Sequence, residues 1–187
     1  MRRVRYNVAT SLDGFIASPD GSTNWIVEDP NIDFDALYAE FDTFVMGRKT
    51  YEVLLKFGNP LAGRPKGAVV VVSTQMKAED HTEITIITGK EVLSNIKVLK
   101  EQPGRDIWLM GGSKLVTPLL EAGLVDTIEA GIMPVVIGQG IPMVDGLKTW
   151  GEVGCKLRLE DVRRLEGSGI LLLKYAVLAE DGLPHSS

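Results

Sequence analysis

The chain has 187 residues, 44% of them hydrophobic and 24% charged, and 20 basic against 25 acidic side chains leave a net charge of −5. One α/β-sized globular domain is expected, burying roughly 70% of the surface of its unfolded form without staples. The acidic balance argues against nucleic acid as the main partner, and a single cysteine, Cys155, excludes an intrachain disulfide and any multi-cysteine metal site. No run nears the roughly 18 apolar residues of a membrane span. Met1-Arg2-Arg3 is followed by alternation rather than an apolar core, so no export signal is read and a cytoplasmic location is expected.

Val4 to Ala9 alternates and reads as a strand running into an exposed loop, Thr10 to Ala17, with Phe15 and Ile16 as an apolar hook. A turn follows at Ser18-Pro19-Asp20-Gly21. From Asp33 to Phe41 the residues Phe34, Leu37, Tyr38 and Phe41 recur at helical spacing, with acids near the start to complement the helix dipole. Asp42 to Met46 is a short apolar strand, and Gly47 turns it into a helix from Arg48. Ala68 to Val72 has the valine-rich composition of a strand buried on both faces, ending at Ser73-Thr74. Ile84 to Thr88 reads as a strand, Lys90 to Lys100 as a helix, and Gln102-Pro103-Gly104 as a stop. The apolar run from Asp106 to Met110 meets Gly111-Gly112, with Ser113 as the expected cap of a helix that places Leu115, Val116, Leu119 and Leu120 on one face and ends at Gly123. Thr127 to Pro134 leads into a glycine-punctuated loop, Val135 to Pro142. Lys156 to Leu165 and Ile170 to Leu178 make an antiparallel hairpin across Glu166-Gly167-Ser168-Gly169. The pattern predicts an α/β fold with a mixed, mainly parallel central sheet flanked by helices and a C-terminal antiparallel hairpin, over a single domain 1–179 with a frayed tail 180–187.

Ligands of such sheets bind beyond the carboxyl ends of the strands, which makes neighbours of the loops after Met46, at Ser73-Thr74 and at Gly111-Gly112. Together they supply Arg48, Lys49, Thr50, Ser73, Thr74, Ser113 and Lys114, plus two helix N-termini. Those are the donors that a dinucleotide with an extra phosphate needs; the plain alternative is solvated charges and ordinary caps. With only His81 and His185 present, a histidine triad or zinc site is disfavoured, and no Gly-x-Ser-x-Gly elbow or Walker loop occurs. For proton transfer the chain offers the carboxylates Asp13, Asp29, Asp33 and Asp35, residues equally at home as caps or surface charges.

Thr10 to Ala17, Val45 to Glu52, Ile107 to Ser113, Gly123 to Asp126 and Pro134 to Pro142 together resemble, in sequence order, the dihydrofolate reductase superfamily. They are most similar to the reductase domain of the riboflavin-pathway bifunctional deaminase-reductases, and with no zinc deaminase signature ahead of them they look like that domain standing alone. The resemblance implies an oxidoreductase that uses NADPH to reduce a small-molecule substrate, a pterin or a ribosylaminopyrimidine, and it implies a homodimer. Carried over, Gly47, Arg48, Lys49 and Thr50 bind the cofactor's phosphates, Ser73 and Thr74 flank its adenosine, and Gly111, Gly112, Ser113, Lys114 and Leu115 cradle the pyrophosphate. Ala9 and Ile16 match positions against the nicotinamide. Trp25 and Asp33 match the substrate pocket and its proton source, with Asp35 or Asp29 as alternatives, and Val136, Ile137 and Gly138 complete the substrate side. Arg64 matches either a substrate-tail arginine or a surface charge, and the threonine that dihydrofolate reductases carry is missing from Ile128 to Ile132. A rival reading is an NADP(H)-binding redox sensor without turnover.

Overall fold

Alternation in Val4–Thr10 (β1) makes it a central strand: Val4 and Tyr6 are fully buried on one face, while Arg5, Asn7 and Ala9 point to the other. The computed structural model describes residues 1–148 and 154–179, so the expected tail at 180–187 lies outside the described residues. Within them the chain runs through Phe15–Ala17 (β2), Phe34–Ala39 (α1), Phe41–Gly47 (β3), Arg48–Lys56 (α2), Val69–Val72 (β4), Thr85–Ile87 (β5), Val92–Glu101 (α3), Asp106–Gly111 (β6), Ser113–Glu121 (α4), Thr127–Ile132 (β7), Ile141–Pro142 (β8), Leu157–Arg164 (β9) and Leu171–Val177 (β10).

Eight strands form one sheet in the order β5-β4-β3-β6-β1-β7-β10-β9. The six on the β5 side run parallel, from β5 to β7, and the β9–β10 hairpin closes the other side antiparallel. This is the architecture expected from the alternation of strand and helix patterns. Helices α3 and α4 cover one face, where Ile96, Leu109, Val116 and Leu119 are fully buried. On the other face Tyr38 and Leu37 of α1 and Tyr51 of α2 pack over Phe41, Phe44, Met46 and Trp108.

Three local expectations are corrected. Phe41 belongs to β3, not to the preceding helix, because its side chain completes the aromatic layer with Phe44 and Trp108. Ser113 is not the cap of α4 but its first, buried residue; Gly112 is the N-cap. The loops read at Phe15 and Ile141 pair as a small antiparallel sheet, β2 with β8.

Candidate active site

Because β4, β3 and β6 are adjacent and parallel, Ser73-Thr74, Gly47 and Gly111-Gly112 all emerge at one rim, as expected. Gly47 and Gly112 cap α2 and α4, and neither end carries a side-chain cap. The two turns touch: a Cβ added to Gly47 would stand 3.8 Å from the Gly112 nitrogen and 3.9 Å from the Gly111 oxygen. Gly111 has φ +98°, a conformation that favours glycine, and is joined to Gly112 by a cis peptide bond. A Cβ on Gly112 would meet nothing within 4 Å, so the space over this turn is open. Beneath it lies the Tyr6 ring, whose hydroxyl donates to the Met143 carbonyl at 2.9 Å; burial pushes that hydroxyl's pKa up, so it stays protonated.

Around this rim the predicted residues divide by what they are free to do. The Leu115 side chain faces the core and its amide donates to the Gly112 carbonyl at 2.9 Å, which leaves the Ser113 and Lys114 amides as the first open donors of α4. Lys114 and Lys49 are exposed and Thr50 half-buried. Arg48 is paired with Glu52 one turn along α2. The Ser73 hydroxyl accepts from the Gln75 and Met76 amides at 3.0 and 3.1 Å, closing its own turn, while Thr74 is exposed.

On the other side of β1 an apolar cluster packs Ala9, Trp25, Ile32, Val135 and Leu172 against Met133, Leu165 and Ile170. Ala9 and Trp25, two of the residues expected at the reaction centre, are thus brought together. The Trp25 indole nitrogen is buried without a partner. Ile16 stands half-buried on β2. The Val136–Gly138 loop is held from below: Asp13 accepts from the Ile137 and Gly138 amides at 3.3 and 2.7 Å. Hydrogen bonds from Ser11 first, and then from those amides, hold the Asp13 carboxyl below its usual range.

The other carboxylates sort themselves likewise. Asp29 is buried and accepts from the Ser168 hydroxyl at 2.5 Å and from the backbone and side-chain nitrogens of Asn31, both at 2.8 Å, which lowers its pKa, Ser168 contributing most. It ties the Trp25–Ile32 segment to the turn of the β9–β10 hairpin. Asp33 is exposed and caps α1 by accepting from the Ala36 amide at 2.9 Å. Asp35 is exposed in the same helix's first turn. Arg64 lies at the opposite rim, near Val69 and Ile84, with its guanidinium 4.7 Å from the Phe44 ring centre and a 3.4 Å bond to the Phe41 carbonyl.

Sequence reasoning missed a polar network set into the sheet beside that cluster. Arg5 donates from two nitrogens to the two oxygens of Glu129, each at 2.7 Å, and Asn7 donates to Glu129 at 3.0 Å. The available signal was Arg5, Asn7 and Glu129 standing inside strands whose other side chains are mostly apolar. Among the described residues no group of histidine, cysteine and carboxylate side chains is placed to hold a metal ion, and no helix is long and apolar enough to cross a membrane.

Comparison with known proteins supplies the family. The model of the RibD C-terminal domain matches residues 2–172. The Bacillus subtilis (strain 168) protein YyaP is 32% identical over 183 residues, 93% of this chain and 94% of its own. The riboflavin biosynthesis protein RibD of Mycobacterium tuberculosis is 28% identical over 155 residues, 76% of this chain but only 45% of that longer protein. Among solved structures, a putative riboflavin biosynthesis protein from Shewanella sp. PV-4 shares the fold with a TM-score of 0.73 at 22% identity, covering 96% of this chain and 100% of that one. The deaminase/5-amino-6-(5-phosphoribosylamino)uracil reductase of Thermotoga maritima shares it with a TM-score of 0.69 at 17% identity, covering 94% of this chain and 56% of that one. With its sheet order, its paired glycine turns and a family match that spans nearly the whole sequence, the chain belongs to the RibD C-terminal domain family.

Proposed function

We propose that the protein is an NADPH-dependent reductase that passes hydride to a small heterocycle of the pterin or ribosylaminopyrimidine kind. The observation that carries this reading is the contact of Gly47 with the Gly111-Gly112 peptide, which sets two helix N-termini side by side where parallel sheets hold nucleotides. The residues fit the cofactor: open space over Gly112 admits a pyrophosphate against the Ser113 and Lys114 amides, and Arg48 and Lys49 are the cations in reach of a 2′-phosphate. Thr50 would serve the phosphates, Ser73 and Thr74 the adenosine, and Ala9 and Ile16 the nicotinamide. NADPH bound there supplies the hydride. The protein's share is orientation, exclusion of water by the apolar cluster around Trp25, and a proton. Asp33 would hold that proton, directly or through water, while Trp25, Val136, Ile137 and Gly138 wall the substrate side.

Titration with NADPH and NADH tests the cofactor half. Wild type is expected to prefer NADPH, and Arg48→Ala to weaken NADPH roughly ten- to a hundredfold, the worth of a charge-assisted bond, with NADH unchanged. Absence of NADPH binding would sink the reading. A sensor without turnover is favoured by one observation, that the Asp33 carboxylate is already engaged by the Ala36 amide.

A homodimer is also proposed, and the β9–β10 hairpin supports it. Cross-strand pairs Leu157–Val177, Leu159–Tyr175 and Val162–Leu173 set apolar side chains on one face. There Leu157, Leu159 and Val162 are 40, 51 and 54% exposed. Arg164, on the same face, is neutralised by Glu166, so a second copy of the face meets no like charge when it covers this one.

A further inference from the structure

We propose that residues 141–148 are a tie between the two halves of the site, through which a dinucleotide seated on the first turn of α4 steadies the Val136–Gly138 loop, and that Thr117 and Tyr6 are the positioning residues that anchor it. The inference rests on the cofactor half of the reading above. It adds a route of communication that does not pass through a bound nicotinamide.

Met143 is held from both halves at once. Its amide donates to the Gly14 carbonyl at 2.9 Å, and its carbonyl accepts from the Tyr6 hydroxyl at 2.9 Å. Gly14 follows Asp13, whose carboxylate grips the Ile137 and Gly138 amides. One dipeptide therefore fixes the chain from Ile137 to Met143 at both ends, and between them β8 pairs with β2. Tyr6 is fully buried, and its ring lies against Gly111 under the cofactor turn. Burial keeps its hydroxyl protonated and so a donor; a shift of Met143 would strip that buried group of its bond, which is costly.

Two residues on, the Thr117 hydroxyl holds both backbone groups of Asp145: the amide donates to Oγ1 at 3.2 Å, and the carbonyl accepts from it at 2.8 Å. The same hydroxyl reaches the Ser113 carbonyl at 3.0 Å. One proton thus faces two acceptors, one in the first turn of α4 and one in the tie. That turn is the freest part of the helix, because Pro118 has no N–H to return to the Lys114 carbonyl, and it carries the open Ser113 and Lys114 amides. A pyrophosphate bonded to those amides fixes the turn, the turn fixes the Thr117 hydroxyl, and the hydroxyl fixes Asp145. Farther along, the Lys148 amide donates to Glu121 at 2.7 Å, and Met143, Val144 and Leu147 pack on the core that α4 covers. The tie rides with the helix.

The probe is 2′-phospho-ADP-ribose, which has the phosphates of NADP+ and no nicotinamide, so its effect on the loop comes by way of α4. Hydrogen exchange at the Ile137, Gly138 and Met143 amides is followed by NMR with and without it. In the wild type the probe is expected to slow all three by about tenfold or more. Thr117→Val should bind the probe within about threefold of wild type and lose the slowing, whereas Thr117→Ser, which keeps the hydroxyl, should retain it. Tyr6→Phe should lose it most at Met143. A wild type that binds the probe without slowing these amides, or a Thr117→Val variant that still slows them, overturns the tie and leaves the reductase reading intact. NADPH binding without binding of the probe at millimolar concentration takes the phosphates off α4 and overturns the tie alone. If neither NADPH nor the probe binds, the cofactor reading itself fails, and this proposal with it.

Discussion

Asp33 caps α1 and is the proposed proton source, and a single substitution separates the two roles. Asn caps helices as well as Asp does, so Asp33→Asn should leave the thermal midpoint within a degree or two while lowering kcat by about a hundredfold or more if the carboxyl supplies the proton. An undiminished kcat moves the proton source elsewhere. Asp13 shows how residue type and residue role part company. It was visible in the sequence as one of several carboxylates, but that it clamps the Ile137 and Gly138 amides depends on a loop more than a hundred positions away in the chain. Its pKa is depressed in the fold, so the clamp is fully present above the unfolded value of about 4 and is lost as pH falls through the lower, folded one. The amide resonances of Ile137 and Gly138 should therefore shift together below about pH 4, and Asp13→Ala should abolish the transition. Asn7 was silent for a similar reason: a polar residue in an alternating strand reads as solvent-facing until Glu129 is found beside it.

Elements with a strong local signal were legible, and those made by long-range contact were not. The parallel strands and the helices after Gly47 and Gly112 follow from apolar runs broken by glycine. Strand β2 and its partner β8 have three and two residues and no alternation to read; they exist because Gly140 lets the backbones meet. A Cβ at Gly140 would fall 2.2 Å from the Ala17 carbonyl oxygen, a clash that only backbone movement relieves. Gly140→Ala is expected to separate β2 from β8, costing more than about 1 kcal/mol in thermal unfolding and loosening the loop that carries Val136 to Gly138. Calorimetry checks the first effect and substrate KM the second; an alanine variant as stable as wild type contradicts this account of the pair. Phe41 went to the wrong element because helical spacing continued one step past the real end, where the aromatic layer claimed the ring for β3.

At the scale of the whole molecule the topology was the most readable feature, since strand–glycine–helix repeats place their turns on one rim whatever the side chains do. The proposed substrate half was legible only as a list of residues, because the apolar cluster around Trp25 joins β1 to segments at 25–32, 133–135 and 165–172 that no local pattern connects. The exposed hairpin face makes its own prediction: wild type should sediment as a dimer, and Leu159→Lys, which places a charge at the centre of the apolar stripe, should give a monomer with an unaltered circular dichroism spectrum. A monomeric wild type at micromolar concentration would remove the homodimer from the proposal. The bond between Asp29 and Ser168 then acquires a thermodynamic meaning. It fastens the segment that carries Trp25 to the turn of the hairpin, so a ligand that settles against that segment and a partner that settles the hairpin act on one connected piece of chain. Linkage is reciprocal: whatever factor pairing adds to substrate affinity, substrate must add to pairing, and Ser168→Ala should uncouple the two while leaving each in place.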